Sequence, residues 1–262
     1  MLIYLKYGLY ADLYLLTGLN TMNEKMEKTA FITGGARRIG REICLKLAEM
    51  NYDIVFTYLS SQKEAETLKL QINSMGRRCS IKRFDLTETE KIPQLMAEIF
   101  EEFSGIDLIV NNASIFERRS FKETSLEQLD KNFSLHFRTP FMIVREFANF
   151  VNSGQVINIL DTRITKKKSA YFAYLLSKKA LSDFTLMAAS ELAPGIRVNG
   201  VAPGLILPPD GLDSGYLDRL AEKIPAARKG DVSDILNSIE FLIKNEYITG
   251  QIIFNDGGEH LI

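Results

Sequence analysis

From Lys28 onward the apolar residues fall into two alternating patterns. Short unbroken apolar runs, with no polar residue on every second position, are what strands covered on both faces require. Longer stretches with apolar residues every three or four positions mark helices that bury one face. The runs predict strands at Thr29–Thr33, Asp53–Tyr58, Cys79–Phe84, Asp107–Val110, Gln155–Leu160, Arg197–Val201 and Gln251–Phe254. The periodic stretches predict helices over Arg41–Met50, Gln62–Met75, Glu88–Phe103, Leu126–Val151, Tyr171–Leu192 and Val232–Lys244. Pro194-Gly195 ends the fifth helix and leads into the sixth strand. Strand and helix in regular succession predict a single doubly wound α/β domain, with a seven-stranded parallel sheet and helices on both faces. The cluster Pro208-Pro209-Asp210-Gly211 opens a weakly patterned segment reaching about Arg228, expected to be a mobile loop over a substrate.

Composition changes this picture little. The chain has 262 residues, 46% hydrophobic and 25% charged, enough to bury a large core in one domain over residues 28–262. Its 32 basic and 33 acidic residues leave a net charge of -1, so no global field gathers nucleic acid or an anionic membrane. A small molecule is the expected partner. Cys44 and Cys79 lack any metal-ligand spacing and are expected to be reduced, as in a cytoplasmic protein. His136 and His260 lie too far apart in sequence to suggest a metal site.

Residues 1–27 stand outside the pattern. Met1 to Leu19 are apolar and tyrosine-rich but broken by Lys6, Asp12 and two glycines, which disfavours a membrane span. The stretch also lacks the basic start and small-residue cleavage site of a signal peptide. With Met22 and Met26 just before the first strand, these residues read as an extension, loosely ordered or translated from a mis-assigned start.

The chemistry begins directly after the first strand, where Thr33 to Gly40 read TGGARRIG and lead into a helix. Small residues in such a turn let backbone N–H groups and a helix N-terminus approach a pyrophosphate, the device of a Rossmann-like domain. Gly34, Ile39 and Gly40 are the candidate cradle. At the end of the second strand a site for NAD usually offers a carboxylate to the ribose hydroxyls. Here the segment reads Thr57, Tyr58, Leu59, Ser60, Ser61, with no carboxylate before Glu64. Arg37, Arg38, Ser60 and Ser61 suit a 2'-phosphate instead, so NADP(H) is the expected cofactor.

Tyr174 and Lys178 are four residues apart on a predicted helix and rise from one face. A phenol exchanges protons poorly at neutral pH, and a neighbouring ammonium is expected to lower its pKa. Asp161 stands thirteen residues before Tyr174, at the end of the fifth predicted strand.

These pieces, with Asp85, Asn111-Asn112-Ala113, Pro203-Gly204 and Asp256-Gly257-Gly258, resemble the short-chain dehydrogenase/reductase family over essentially Lys28 to Ile262. The resemblance implies that Tyr174 is the proton donor or relay and that Lys178 also holds the nicotinamide ribose. It implies that Asp85 and Leu86 lie at the adenine, and that Asn112, Ala113, Ser114, Pro203 and Gly204 lie along the cofactor. Asn111 is placed on the ribose side by the same resemblance, or else ties neighbouring strands together. Ordinary members carry a serine where this chain has Asp161; a carboxylate there suits a nitrogen heterocycle better than a ketone oxygen and, if ionised, is expected to raise the tyrosine pKa.

Arg38 in the turn, Ser114-Ile115-Phe116, His136, Asp161 and Gly204-Leu205-Ile206-Leu207 resemble the pteridine reductases and, more closely, the dihydromonapterin reductases. That subgroup implies NADPH-dependent reduction of a dihydropterin such as 7,8-dihydromonapterin, or of dihydrofolate. Phe116, Arg38, Ser114, Asp161 and Tyr174 would then contact the pterin, with offset stacking at Phe116. His136 is either a further catalytic proton carrier or a helix histidine satisfied by a backbone carbonyl. The competing expectations are a general carbonyl or 3-oxoacyl reductase and an NADP-binding regulatory protein without turnover. A homotetramer or homodimer formed through the long helices is also implied.

Overall fold

The computed structural model describes residues 28–208 and 215–262. The N-terminal extension and the Pro209-Asp210-Gly211 part of the proposed covering loop lie outside the described residues. Seven strands, Lys28–Ile32 (β1), Tyr52–Tyr58 (β2), Cys79–Arg83 (β3), Leu108–Asn111 (β4), Gly154–Ile159 (β5), Ile196–Pro203 (β6) and Ile252–Asn255 (β7), form one sheet in the order β3-β2-β1-β4-β5-β6-β7. Every pairing is parallel.

Side-chain alternation along these strands builds a core on each face. Ala30 and Ile32 of β1, Ile54 and Phe56 of β2, and Leu108 and Val110 of β4 point to one side. Phe31, Val55 and Ile109, the residues between them, point to the other. Helices Arg38–Glu49 (α1), Gln62–Ser74 (α2) and Val232–Lys244 (α8) cover the first face through Ile43, Leu47, Leu68, Ile72, Ile235 and Ile239. Helices Ile92–Phe103 (α3), Thr139–Phe150 (α5) and Phe172–Glu191 (α6) cover the second through Met96, Ile99, Ile143, Phe147 and Ala188. The winding direction reverses between β1 and β4, and at that reversal the strand ends open a crevice.

Two expectations are corrected. The stretch Leu126–Val151 is not one regular helix. It comprises Leu126–Phe133 (α4), a wide π-type turn at Ser134–Arg138, and α5. The Thr139 N–H bonds back five residues to the Ser134 carbonyl, and Pro140 has no N–H with which to resume the four-residue pattern. The second correction concerns the weakly patterned segment before Arg228, which contains a helix, Gly215–Ala221 (α7). Its Leu217 and Ala221 are buried against Leu205 and Ile224.

Candidate active site

The crevice at the strand ends is a cleft of about 1380 Å³. The turn after β1 forms its floor at one end. Gly34 has φ +66, and a Cβ there would stand 3.0 Å from the Ala113 Cα. A Cβ on Gly40 would stand 2.2 Å from the Gly34 carbonyl oxygen and 2.6 Å from Asn112 Nδ2. Only glycine lets this turn close so tightly. Asn112 pins it, its Nδ2 donating to the carbonyls of Thr33 and Gly34 at 3.0 Å each. The Thr33 hydroxyl accepts from the N–H groups of Asn112 and Ala113 in return.

Around this turn the cleft is lined by Arg37, Arg38, Ile39, Tyr58, Ser60, Ser61, Asp85, Leu86, Ala113, Ser114, Pro203 and Gly204. Sequence reasoning had singled out each of them. The absence of a carboxylate at the end of β2 therefore coincides with a wall of hydroxyls and arginines. Arg38 has φ +53, and its guanidinium donates to the Pro208 carbonyl at 2.7 Å, reaching across the cleft mouth. Asp85 accepts from the N–H and hydroxyl of Thr87, and these bonds hold its pKa below the ordinary carboxylate value.

Asn111 does not face the cleft. It is buried, and its Nδ2 donates to Asn158 Oδ1 at 2.8 Å, while Asn158 Nδ2 donates to Thr185 Oγ1 at 2.9 Å. This chain of amides ties β4 to β5 and to α6, so the tie between neighbouring strands replaces the ribose contact expected for Asn111.

At the other end of the cleft Tyr174 and Lys178 project from α6, 6% and 2% exposed. The Tyr174 hydroxyl donates to Asp161 Oδ2 at 2.7 Å. The other carboxylate oxygen, Oδ1, accepts from the Arg163 N–H at 2.7 Å, since Asp161 caps the short 3-10 turn Thr162–Thr165. Lys178 Nζ donates to the Ile159 carbonyl at 2.7 Å. Burial, followed by the charge of Asp161 and its hydrogen bond, pushes the Tyr174 phenol well above its ordinary range. The upward pull expected of Asp161 thus outweighs the lowering expected of the lysine, and burial is the larger cause. Burial lowers Lys178 from 10.5 to about 8, against a smaller upward pull from Asp161. A protonated phenol, a carboxylate accepting its proton and an amine near neutrality thus converge in one cleft, a set suited to delivering a proton to a polar double bond.

The aromatic neighbourhood was only partly foreseen. Phe116 is 37% exposed and lines the cleft. One face of its ring stacks on Tyr171, with centroids 4.1 Å apart, and its edge meets Tyr174 at 4.8 Å. The Arg163 guanidinium lies 5.7 Å from the Phe116 centroid and 5.5 Å from that of Tyr171. Arg163, Tyr171 and the cleft-lining Glu259 were missed by sequence reasoning. The one available signal was the place of Arg163, two residues after Asp161 in a loop at the strand ends. Burial raises the pKa of Glu259, and its backbone is held near the site by Asp256 and by Lys166. Asp256 in turn accepts from the Thr162 hydroxyl and from His260, joining the C-terminal turn to the one that carries Asp161.

His136 does not line the cleft. It sits in the wide turn, 1% exposed, with Nε2 facing Ser114 Oγ at 3.0 Å and the Ile115 N–H at 3.2 Å. Its Nδ1 faces Ser177 Oγ at 2.9 Å. The histidine meets the cleft through two residues that line it, Ser114 by the Nε2 contact and Tyr174, whose ring centroid lies 5.4 Å from its own.

Among known proteins, residues 34–260 match the family model described as enoyl-(acyl carrier protein) reductase. The chain is 30% identical over 244 residues to the 3-oxoacyl-(acyl-carrier-protein) reductase FabG of Staphylococcus epidermidis, covering 90% of this chain and 100% of that one. Among solved structures it is similar to the FolM alternative dihydrofolate reductase 1 of Brucella canis complexed with NADP. That likeness has a TM-score of 0.84 and 32% identity over 91% of this chain and 97% of the other. The Brucella suis counterpart, also in complex with NADP, has a TM-score of 0.86 and 32% identity over 90% and 96% of the two chains.

Proposed function

The chain belongs to the short-chain dehydrogenase/reductase family and is an NADP-dependent oxidoreductase, and on that premise we propose that it reduces a C=N bond of a dihydropterin, 7,8-dihydromonapterin or a close relative, to the tetrahydro form. The observation that carries this reading is the Tyr174 hydroxyl bonded to Asp161 Oδ2 at 2.7 Å, at the position where the family resemblance implies a serine hydroxyl. A serine donates to a carbonyl oxygen, whereas a carboxylate repels its electrons and accepts N–H groups readily. The Brucella structures, which carry the name alternative dihydrofolate reductase, add support.

The cofactor suits the residues present. Glycine at positions 34 and 40 leaves the close approach a pyrophosphate needs, since a Cβ at Gly40 would strike the Gly34 carbonyl. Arg37, Ser60 and Ser61, with Arg38, would hold the 2'-phosphate, Asp85 and Leu86 the adenine, and Ala113, Ser114, Pro203 and Gly204 the length between. When bound, NADPH supplies the hydride. Lys178 and Tyr174 would hold its nicotinamide ribose.

The protein's own residues manage the proton. Before substrate enters, Asp161 keeps the phenol protonated. A ring N–H donating to Asp161 takes over that carboxylate, reducing the negative potential on the phenol and freeing its proton for the C=N nitrogen. Lys178, charged below about pH 8, then stabilises the phenolate. Phe116, already stacked on Tyr171, offers a flat wall for the ring, and Ser114 and Arg38 a polar border.

A second reading, reduction of a 3-oxoacyl thioester, is favoured by the Staphylococcus relative. NADPH oxidation measured with a panel of dihydropterins, dihydrofolate, quinones, ketones and 3-oxoacyl thioesters separates the two. Turnover of the pterins is expected, and strong turnover of simple ketones with none of the pterins overturns the reading.

A further inference from the structure

His136 is a buried titratable group beside the site whose hydrogen bonds dictate where its proton sits. A backbone N–H can only donate, so the Ile115 N–H at 3.2 Å requires Nε2 to be the unprotonated ring nitrogen. The ring N–H therefore sits on Nδ1 and donates to Ser177 Oγ, whose own hydrogen goes to the Tyr174 carbonyl at 2.8 Å. The Ser114 hydroxyl completes the set by donating to Nε2. A second proton on the ring would point at the Ile115 N–H. The groups facing the ring are Ser114 and Ile115 from the segment after β4, and Ser177, Lys178 and the edge of Tyr174 from α6. Burial, and after it the nearby Lys178 cation, holds the imidazole well below the ordinary histidine range.

We propose that His136 is a positioning residue: locked in its neutral Nδ1–H form, it clamps the Ser114–Ile115–Phe116 segment to the helix that carries Tyr174 and so fixes the width of the slot a flat substrate enters. Both jaws are visible. Phe116 follows the clamped Ile115 directly and lies edge-to-face with Tyr174 at 4.8 Å, and the His136 ring meets Tyr174 in the same manner at 5.4 Å. The wide turn at Ser134–Arg138 lies in the stretch where Pro140 interrupts regular α-helical bonding, so the clamp and the helix irregularity are one feature. The inference rests on the reductase reading of the cleft but not on a pterin as its occupant.

Two substitutions divide the clamp. The amide of H136N ends near the Nδ1 position and keeps a partner for Ser177, but withdraws from Ile115. The amide of H136Q reaches the Nε2 position and keeps an acceptor for Ile115. With whichever panel compound the wild type turns over best, KM should rise about tenfold in H136N, the effect of one orphaned, part-buried N–H. It should stay within about threefold in H136Q, with kcat nearly unchanged in both. Hydrogen exchange at the Ile115 amide, which needs no substrate, should quicken in H136N and stay slow in H136Q. The ring nitrogen shifts of wild-type His136 should stay those of the neutral form as the pH falls through the ordinary histidine range.

Equal loss of kcat in both variants, with a breakpoint near neutrality vanishing from the pH profile, would identify a proton carrier and overturn the proposal. So would an Ile115 amide indifferent to H136N. Failure of the pterin reading is a separate result, read from the wild-type panel alone.

Discussion

Replacing Lys178 by methionine should abolish turnover and yet make the ligand-free protein more stable at neutral pH. The amine is 2% exposed, and burial lowers its pKa from 10.5 to about 8. Holding its charge inside the fold at pH 7 therefore costs about 3 kcal/mol, the difference between those values at roughly 1.4 kcal/mol for each tenfold step. Methionine has a similar length and no charge, but it forfeits the 2.7 Å bond to the Ile159 carbonyl, a loss of about 1 kcal/mol. The net expectation is a gain of about 2 kcal/mol at pH 7.

The gain should shrink with pH in a definite window. Between about 8 and 10.5 the unfolded wild type still binds a proton that the folded form has released, so wild-type stability climbs with pH. Near the top of the window the variant should be the less stable protein by about 1 kcal/mol. Urea unfolding of both proteins at several pH values measures this directly. A variant less stable at pH 7, or a difference that does not change with pH, would refute the argument that burial dominates at Lys178.

Three further outcomes follow from the same geometry. Asp161→Asn removes the charged acceptor of the Tyr174 proton, so the phenol should titrate at lower pH in an ultraviolet titration. The kcat/KM for a dihydropterin should fall by about ten- to a hundredfold, as expected for losing a hydrogen bond to a charge. Gly40→Ala places a methyl group 2.2 Å from a backbone oxygen, and fluorescence titration should show NADPH affinity down by at least about a hundredfold. Replacing Arg37 and Arg38 together by alanine should weaken NADPH binding by about 2 kcal/mol or more while leaving NADH binding nearly unchanged, a contrast that calorimetry with both nucleotides resolves.

The parts of the molecule that were legible in its sequence are those where one local pattern suffices. The strands could be read because burial on both faces leaves unbroken apolar runs, such as Phe31 between Ala30 and Ile32. Tyr174 and Lys178 could be read because helical spacing puts them on one face. Asp161 stood out because a carboxylate occupied a strand end at a fixed offset from the tyrosine. The wide turn after Phe133 was signalled by Pro140, but apolar periodicity on both sides masked it. Helix α7 is one short element beside a Pro-Gly cluster, too brief for a period to emerge.

Contacts between loops were not legible. Phe116, Arg163, Tyr171 and Glu259 come from three separate connections and meet only in the folded chain. Their residue types carry no sign of that meeting. The Tyr174 shift was legible only in part: a carboxylate at position 161 raises the phenol as its charge implies, but the larger cause, burial, depends on the packed fold.

On the function proposed above, Asp161 turns a carbonyl-reducing centre toward a nitrogen heterocycle. The most direct test is the ratio of kcat/KM for 7,8-dihydromonapterin to that for a 3-oxoacyl thioester, measured with NADPH in the wild type and in Asp161→Ser. The account predicts a wild-type ratio above about a hundred that falls by at least about tenfold in the serine variant, as loss of a charged acceptor requires. A wild-type ratio below one, or a ratio the substitution leaves unchanged, would contradict it.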